Sequence, residues 1–154
     1  MSEAILLSIA TSLATFVLHE VGLLGIGAGA ARFAGGGGRM VVLAVAIGIL
    51  LLHLLEIGIY TGAIALATDA LHLGRLVGDV DGSNLELLYF SAEAYTSLGF
   101  GDIIPTGQMR LLVSFEPLNG LILLGWSASF LHLEVARYWR RLGESERAGG
   151  IWPA

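Results

Sequence analysis

Three apolar runs, residues 4–30, 40–68 and 108–139, constrain this chain more than any other feature. At about 1.5 Å of helical rise per residue, each exceeds the roughly 30 Å hydrocarbon core of a bilayer. Composition leaves little alternative. Of the residues, 55% are hydrophobic and 14% charged, and mean hydropathy is +0.78, whereas soluble domains carry about 25% charged residues. Such a chain cannot clothe itself in polar surface, so lipid is its expected solvent. Met1-Ser2-Glu3 lacks the positive segment of a signal peptide, and the run behind it is longer than a signal core. Residues 4–30 are therefore expected to be a retained spanning helix. Its second half (Gly22, Gly25, Gly27, Gly29) has the small residues that permit close helix packing in lipid.

The connectors set a topology. Gly35-Gly36-Gly37-Gly38 is a flexible turn flanked by Arg32 and Arg39, and Arg137-Tyr138-Trp139-Arg140-Arg141 closes the last run. All eight basic residues are arginine, and both clusters vote for the cytoplasmic side. The connector between them is acidic, with Asp69, Asp79, Asp81 and Glu86 against Arg75, and reads as extracytoplasmic. The expectation is a multi-pass protein of the cell (inner) membrane with three spans, N-terminus outside and C-terminus in the cytoplasm. Residues 1–39 form an extra helix and glycine-rich loop, and 142–154 a short, disordered cytoplasmic tail.

Several functions drop out. No basic patch is interleaved with aromatics, so nucleic acid is not expected as a partner. Cysteine is absent, which removes disulfides and thiolate metal sites. No nucleophile–base pair or cofactor loop is present, and an enzyme is not expected. Asp79-Val80-Asp81-Gly82 hints at a calcium loop but lacks the glutamate at the twelfth position. Ser83-Asn84-Leu85-Glu86 explains it better: the segment has the form of a capping box that opens a helix.

That helix, expected over 85–97, is too short to cross a bilayer and runs into Leu98-Gly99-Phe100-Gly101. Non-helical backbone at membrane depth is tolerated only where protein buries it or water lines it. Glycine at alternate positions lets successive carbonyls point one way, because it adopts left-handed conformations without steric cost. A ring of such carbonyls, one set from each of four chains, can replace the water shell of a potassium ion.

Thr96-Ser97-Leu98-Gly99-Phe100-Gly101-Asp102 resembles the signature Thr-Thr-Val-Gly-Tyr-Gly-Asp of the potassium-channel pore-domain family. The resemblance covers about Leu85 to Ala136 and, more loosely, the second run. It implies an all-α membrane protein of tetrameric potassium-channel pore architecture. The outer helix would be 40–68, the extracytoplasmic loop 69–84, the pore helix 85–97, the filter 97–102 and the inner helix 108–139. Ser97, Leu98, Gly99, Phe100 and Gly101 would coordinate K+, the transported ion, in a homotetramer. Tyr89 and Phe90 match the aromatic cuff around the filter, and Glu93 matches the pore-helix acid that pairs with the aspartate after the filter, here Asp102. Gly120 falls at the inner-helix hinge, with Gly125 after it. Leu121, Leu124 and Ala128 would face the cavity, and Ala128, His132 and Ala136 the inner constriction. The chain departs from the family pattern at Phe100, which lacks the tyrosine hydroxyl that braces the filter, and at Ser97, which lacks a methyl. Glu116-Pro117 and the extra N-terminal helix are also outside that pattern, and Pro117 is expected to bend or locally unwind the inner helix. A weakly selective cation channel is the alternative within the same architecture.

Eight ionisable residues sit in or near the apolar runs: His19, Glu20, His53, Glu56, Glu93, Glu116, His132 and Glu134. Such groups are costly in lipid and face the bundle interior. His53 and Glu56 share a helix face, and His19 and Glu20 sit at comparable depth. These four suggest a buried polar cluster, read as an interhelical hydrogen bond that docks the first helix, as a proton sensor, or as a metal site of a membrane-embedded relay protein. Glu116 is expected to brace the filter from behind, and His132 to make conduction pH-sensitive.

Overall fold

The computed structural model describes residues 1–32, 38–78, 80 and 82–148. The order is α1 (Ser2–Arg32), α2 (Gly38–Asp69), β1 (Leu76–Gly78), α3 (Asn84–Tyr95), β2 (Ile103–Pro105) and α4 (Met109–Ala148). Three segments, Ser2–Arg32, Gly38–Asp69 and Met109–Arg141, are long and apolar enough to cross a membrane. This is an all-α membrane protein in which α1, α2 and α4 pack against one another and α3 packs on α2 and α4. Gly38, at the start of α2, lies against Tyr138 near the end of α4, while Met1 and Ala4 share a cavity wall with Gln108 and Arg110 at the other end.

The helices are inside-out relative to a soluble bundle. On α1 the buried residues are Ala4, Ser8, Thr11, Thr15, His19 and Leu23, whereas Leu6, Leu13, Val17, Val21 and Leu24 are exposed. Lipid gives apolar side chains no reason to leave the surface, so helix association rests on close packing and interhelical hydrogen bonds. Ser12 and Tyr60 bond at 3.0 Å, and Asn119 Nδ2 donates to Thr15 Oγ1 at 2.7 Å. The main apolar core lies around α3 and includes Ile57, Ile64, Phe90, Met109 and Leu112. A smaller one holds Leu23, Val45, Ile49 and Leu52 between α1 and α2.

Ser83 caps α3: its side chain accepts from the Glu86 N–H at 3.2 Å, and Glu86 Oε2 accepts from the Gly82 N–H at 2.7 Å. Several boundaries differ from the sequence reading. The short helix ends at Tyr95, not at residue 97, because Thr96 is its C-cap and Ser97 turns left-handed (φ 60°). The 69–84 connector contains a strand. β1 pairs antiparallel with β2, Leu76 opposite Pro105 and Gly78 opposite Ile103, and three residues per strand carry too little alternation to be read beforehand. The last helix does not stop at 139: it continues to Ala148, so 142–148 is not a disordered tail. It is also unbroken at Pro117. The glycine turn at 33–37, Asp79, Asp81 and residues 149–154 lie outside the described residues.

Candidate pore loop and its buried supports

The loop after α3 alternates in handedness. Ser97, Gly99 and Gly101 have φ of 60°, 50° and 83°. Every second residue is thus in the left-handed region, which is permitted for glycine and strained for serine. The serine is held by its neighbours: its N–H donates to the Ala94 carbonyl at 3.0 Å, and the Leu98 N–H to that of Glu93 at 2.9 Å. Leu98 and Phe100, between the left-handed positions, are 60% and 67% exposed on the single chain.

Three contacts secure the loop. Phe100 stacks on Tyr89, with ring centroids 6.5 Å apart and planes 8° from parallel. The Tyr89 hydroxyl donates to Asp102 Oδ2 at 3.1 Å, and Asp102 Oδ1 accepts from the Ile103 N–H. The Tyr89 hydroxyl is pushed above its ordinary pKa, first by the neighbouring Glu93 carboxylate, then by desolvation, then by Asp102. Farther out, the Thr106 N–H donates to the Arg75 carbonyl at 2.9 Å and the Gln108 N–H to that of Leu73 at 2.7 Å.

Other expected roles are relocated. The expected Glu93–Asp102 pair is not what forms. Tyr89, one turn before Glu93 on the same face, interposes its hydroxyl and takes Asp102, while the buried Oε1 of Glu93 has no partner among the described residues. Phe90 points the other way, into the main core. Glu116 is fully buried and accepts from Ser91 Oγ at 2.5 Å, so its bond holds α3 and not the loop itself. Ser91 was not singled out by the sequence. Gly120 is a packing glycine: a Cβ there would collide with the Tyr95 carbonyl oxygen, whereas one on Gly125 would meet nothing. On α4, Leu121, Ala128 and His132 are exposed, whereas Leu124 packs against the core.

The buried polar cluster gathers His19, His53 and Glu56 but excludes Glu20. His19 Nδ1 lies 2.7 Å from Glu56 Oε1, and His53 Nδ1 lies 2.9 Å from Glu56 Oε2. Glu20 follows His19 by about 100° of helix rotation, and it is exposed beside Trp126, Glu134 and Arg137. Glu134 bonds Arg137 one turn on. Tyr95 takes the place expected of Glu20. Its hydroxyl donates to Glu56 Oε2 at 2.5 Å and lies 2.9 Å from His53 Nδ1. In sequence Tyr95 was hidden by its position at the end of a helix of another register.

Residues 59–132, which run from α2 through the loop into α4, match the family model described as Ion channel. Over this segment the chain is similar to the ion-channel family. No curated protein and no solved structure matches the chain. The ion-channel segment contains α3, the alternating loop and the exposed face of α4, but leaves α1 outside it. The His–Glu–Tyr cluster joins that outside helix to the channel segment, since Tyr95 lies within the match and His19 does not.

Proposed function

We propose that the chain is one subunit of a homotetrameric, potassium-selective channel. The observation that carries the reading is the alternation of left-handed residues at Ser97, Gly99 and Gly101 in a loop that follows a half-span helix. Four such loops around an axis would offer stacked rings of carbonyl oxygens from Ser97, Leu98, Gly99, Phe100 and Gly101, with the Ser97 hydroxyl at the inner end. Potassium exchanges its hydration shell for these rings and passes by knock-on between adjacent sites. The C-terminus of α3, the negative end of its dipole, favours a cation beside it. Leu121, Ala128 and His132, exposed on one face of α4, would line the path below. Tyr89, stacked on Phe100 and bonded to Asp102, supplies a brace where Phe100 has no hydroxyl of its own. The arginines flanking the 33–37 turn and those at 137–141 support a loop on the outer side of the cell membrane, with the N-terminus outside and the C-terminus in the cytoplasm.

Reconstituted protein in potassium-loaded vesicles tests this. The expected result is a potassium flux with reversal potentials that follow the potassium gradient in mixed sodium and potassium. Gly99→Val and Gly101→Val should abolish it, since a branched side chain cannot hold those backbone angles. Flux that survives either substitution removes the filter assignment. Equal permeation of sodium leaves a cation pore without potassium preference.

A further inference from the structure

The cluster of His19, His53, Glu56 and Tyr95 is not needed to build the pore loop, and its atoms are crowded. Glu56 Oε2, His53 Nδ1 and the Tyr95 hydroxyl lie 2.5–2.9 Å from one another. With a neutral imidazole, only the His53 N–H and the Tyr95 O–H supply protons for these three edges, so one proton must be shared. His19 Nδ1 lies 2.7 Å from the other carboxylate oxygen. Two neutral imidazoles around an ionised Glu56 would leave one negative charge in the middle of a span, where charge is expensive. Glu56 and His19 are fully buried. Among the described residues, Glu56 bonds no arginine.

We propose that His19, His53 and Glu56 bind a divalent first-row transition-metal ion of the zinc class, with the Tyr95 oxygen as fourth ligand. The ligating atoms of the first three residues all lie within 4.8 Å of one another. A four-coordinate ion with bonds of about 2.1 Å holds its ligands roughly 3.4 Å apart, so the hydrogen-bonded pairs open slightly and the widest pair closes. Imidazole and carboxylate without thiolate suit zinc, copper or nickel, not potassium or calcium. A second observation fits. His19 Nε2 faces Ser127 Oγ at 3.4 Å, an outer partner that would hold the proton on Nε2 and leave Nδ1 free to ligate. The ion would tie α1, α2 and α3 together at the residue before Thr96. Binding stands apart from the potassium reading and holds whether or not the loop conducts.

The test uses tag-free full-length protein in detergent, stripped with a chelator and titrated with Co2+. The expected result is one Co2+ per chain with the visible absorption of a four-coordinate site, displaced by Zn2+. Zn2+ should also raise the thermal unfolding midpoint. His19→Gln and Glu56→Gln should each weaken binding at least a hundredfold, while His72→Ala, at an exposed histidine away from the cluster, leaves it unchanged. Tyr95→Phe keeps the packed ring and should shift the Co2+ spectrum as water replaces the phenol oxygen. Folded wild-type protein that takes up no stoichiometric Co2+ overturns the proposal, even if the variants fail to fold. So does binding that persists in Glu56→Gln, or stability that responds to pH and not to Co2+ or Zn2+.

Discussion

At Gly120 the α4 backbone meets the Tyr95 carbonyl oxygen so closely that a Cβ would collide with it. The oxygen belongs to the last turn of α3 and cannot retreat without moving the loop. Gly120→Ala should therefore lower stability by about 1–3 kcal/mol, the usual range for overpacking, whereas Gly125→Ala should change it by less than about 0.5 kcal/mol. Thermal unfolding of the two variants in one detergent compares them directly. Tyr95 itself donates to the buried Glu56 carboxylate at 2.5 Å. Tyr95→Phe deletes a hydrogen bond to a charged group and should cost about 1.5–3 kcal/mol, read by the same measurement in chelated protein. Residues that act by charge in sequence often act by contact in the fold. Glu93 and Asp102 were legible as an acid pair, but the hydroxyl of Tyr89 comes between them, and nothing in the spacing of two acids shows which third group will intervene.

Among the elements, α3 depends most on its ends. Ser83 and Glu86 close its first turn, and Thr96 closes the last, its N–H donating to the Ala92 carbonyl and the Ser97 N–H to that of Ala94. Ser83→Ala should cost about 0.5–2 kcal/mol, and hydrogen exchange should show the Glu86 amide opening first. Exchange confined to the other end of α3 would count against the cap. The capping box could be read in sequence because its partners are three residues apart. The strand pair β1–β2 could not, because its partners are separated by the whole of α3 and the loop. The spans were legible for the opposite reason: apolar length needs no partner. Their limits were not, since the polar tail of α4 continues a helix that the membrane-spanning pattern had already left.

As a whole molecule, the single chain exposes Leu98, Phe100 and Leu121 on the side of the loop and α4. Lipid could cover such side chains, but the strained Ser97 and the exposed loop backbone need polar company. The expectation is a four-chain assembly, and chemical cross-linking in detergent should give a ladder that ends at four. A ladder that ends at two would exclude a four-fold filter. The packing of α1 on its own chain was the least legible part of the fold. Its apolar length is visible to any reader, but the order of its faces is not. Ser8, Thr11, Thr15 and His19 recur at spacings of three and four, a polar stripe hidden within a hydrophobic run.

That stripe makes α1 a key and not an anchor. A polyleucine helix of equal length would sit in the same membrane at the same depth, yet it would offer nothing to Tyr60, Asn119 or Glu56, whose α1 partners are Ser12, Thr15 and His19. Tyr60 and Asn119 would each lose a hydrogen bond in a dry interior, and Glu56 would be left with His53 and Tyr95 alone. Substituting α1 wholesale should therefore harm the protein more than its distance from the loop suggests. Chimeras that exchange N-terminal helices between unrelated membrane proteins should fail here even when insertion succeeds.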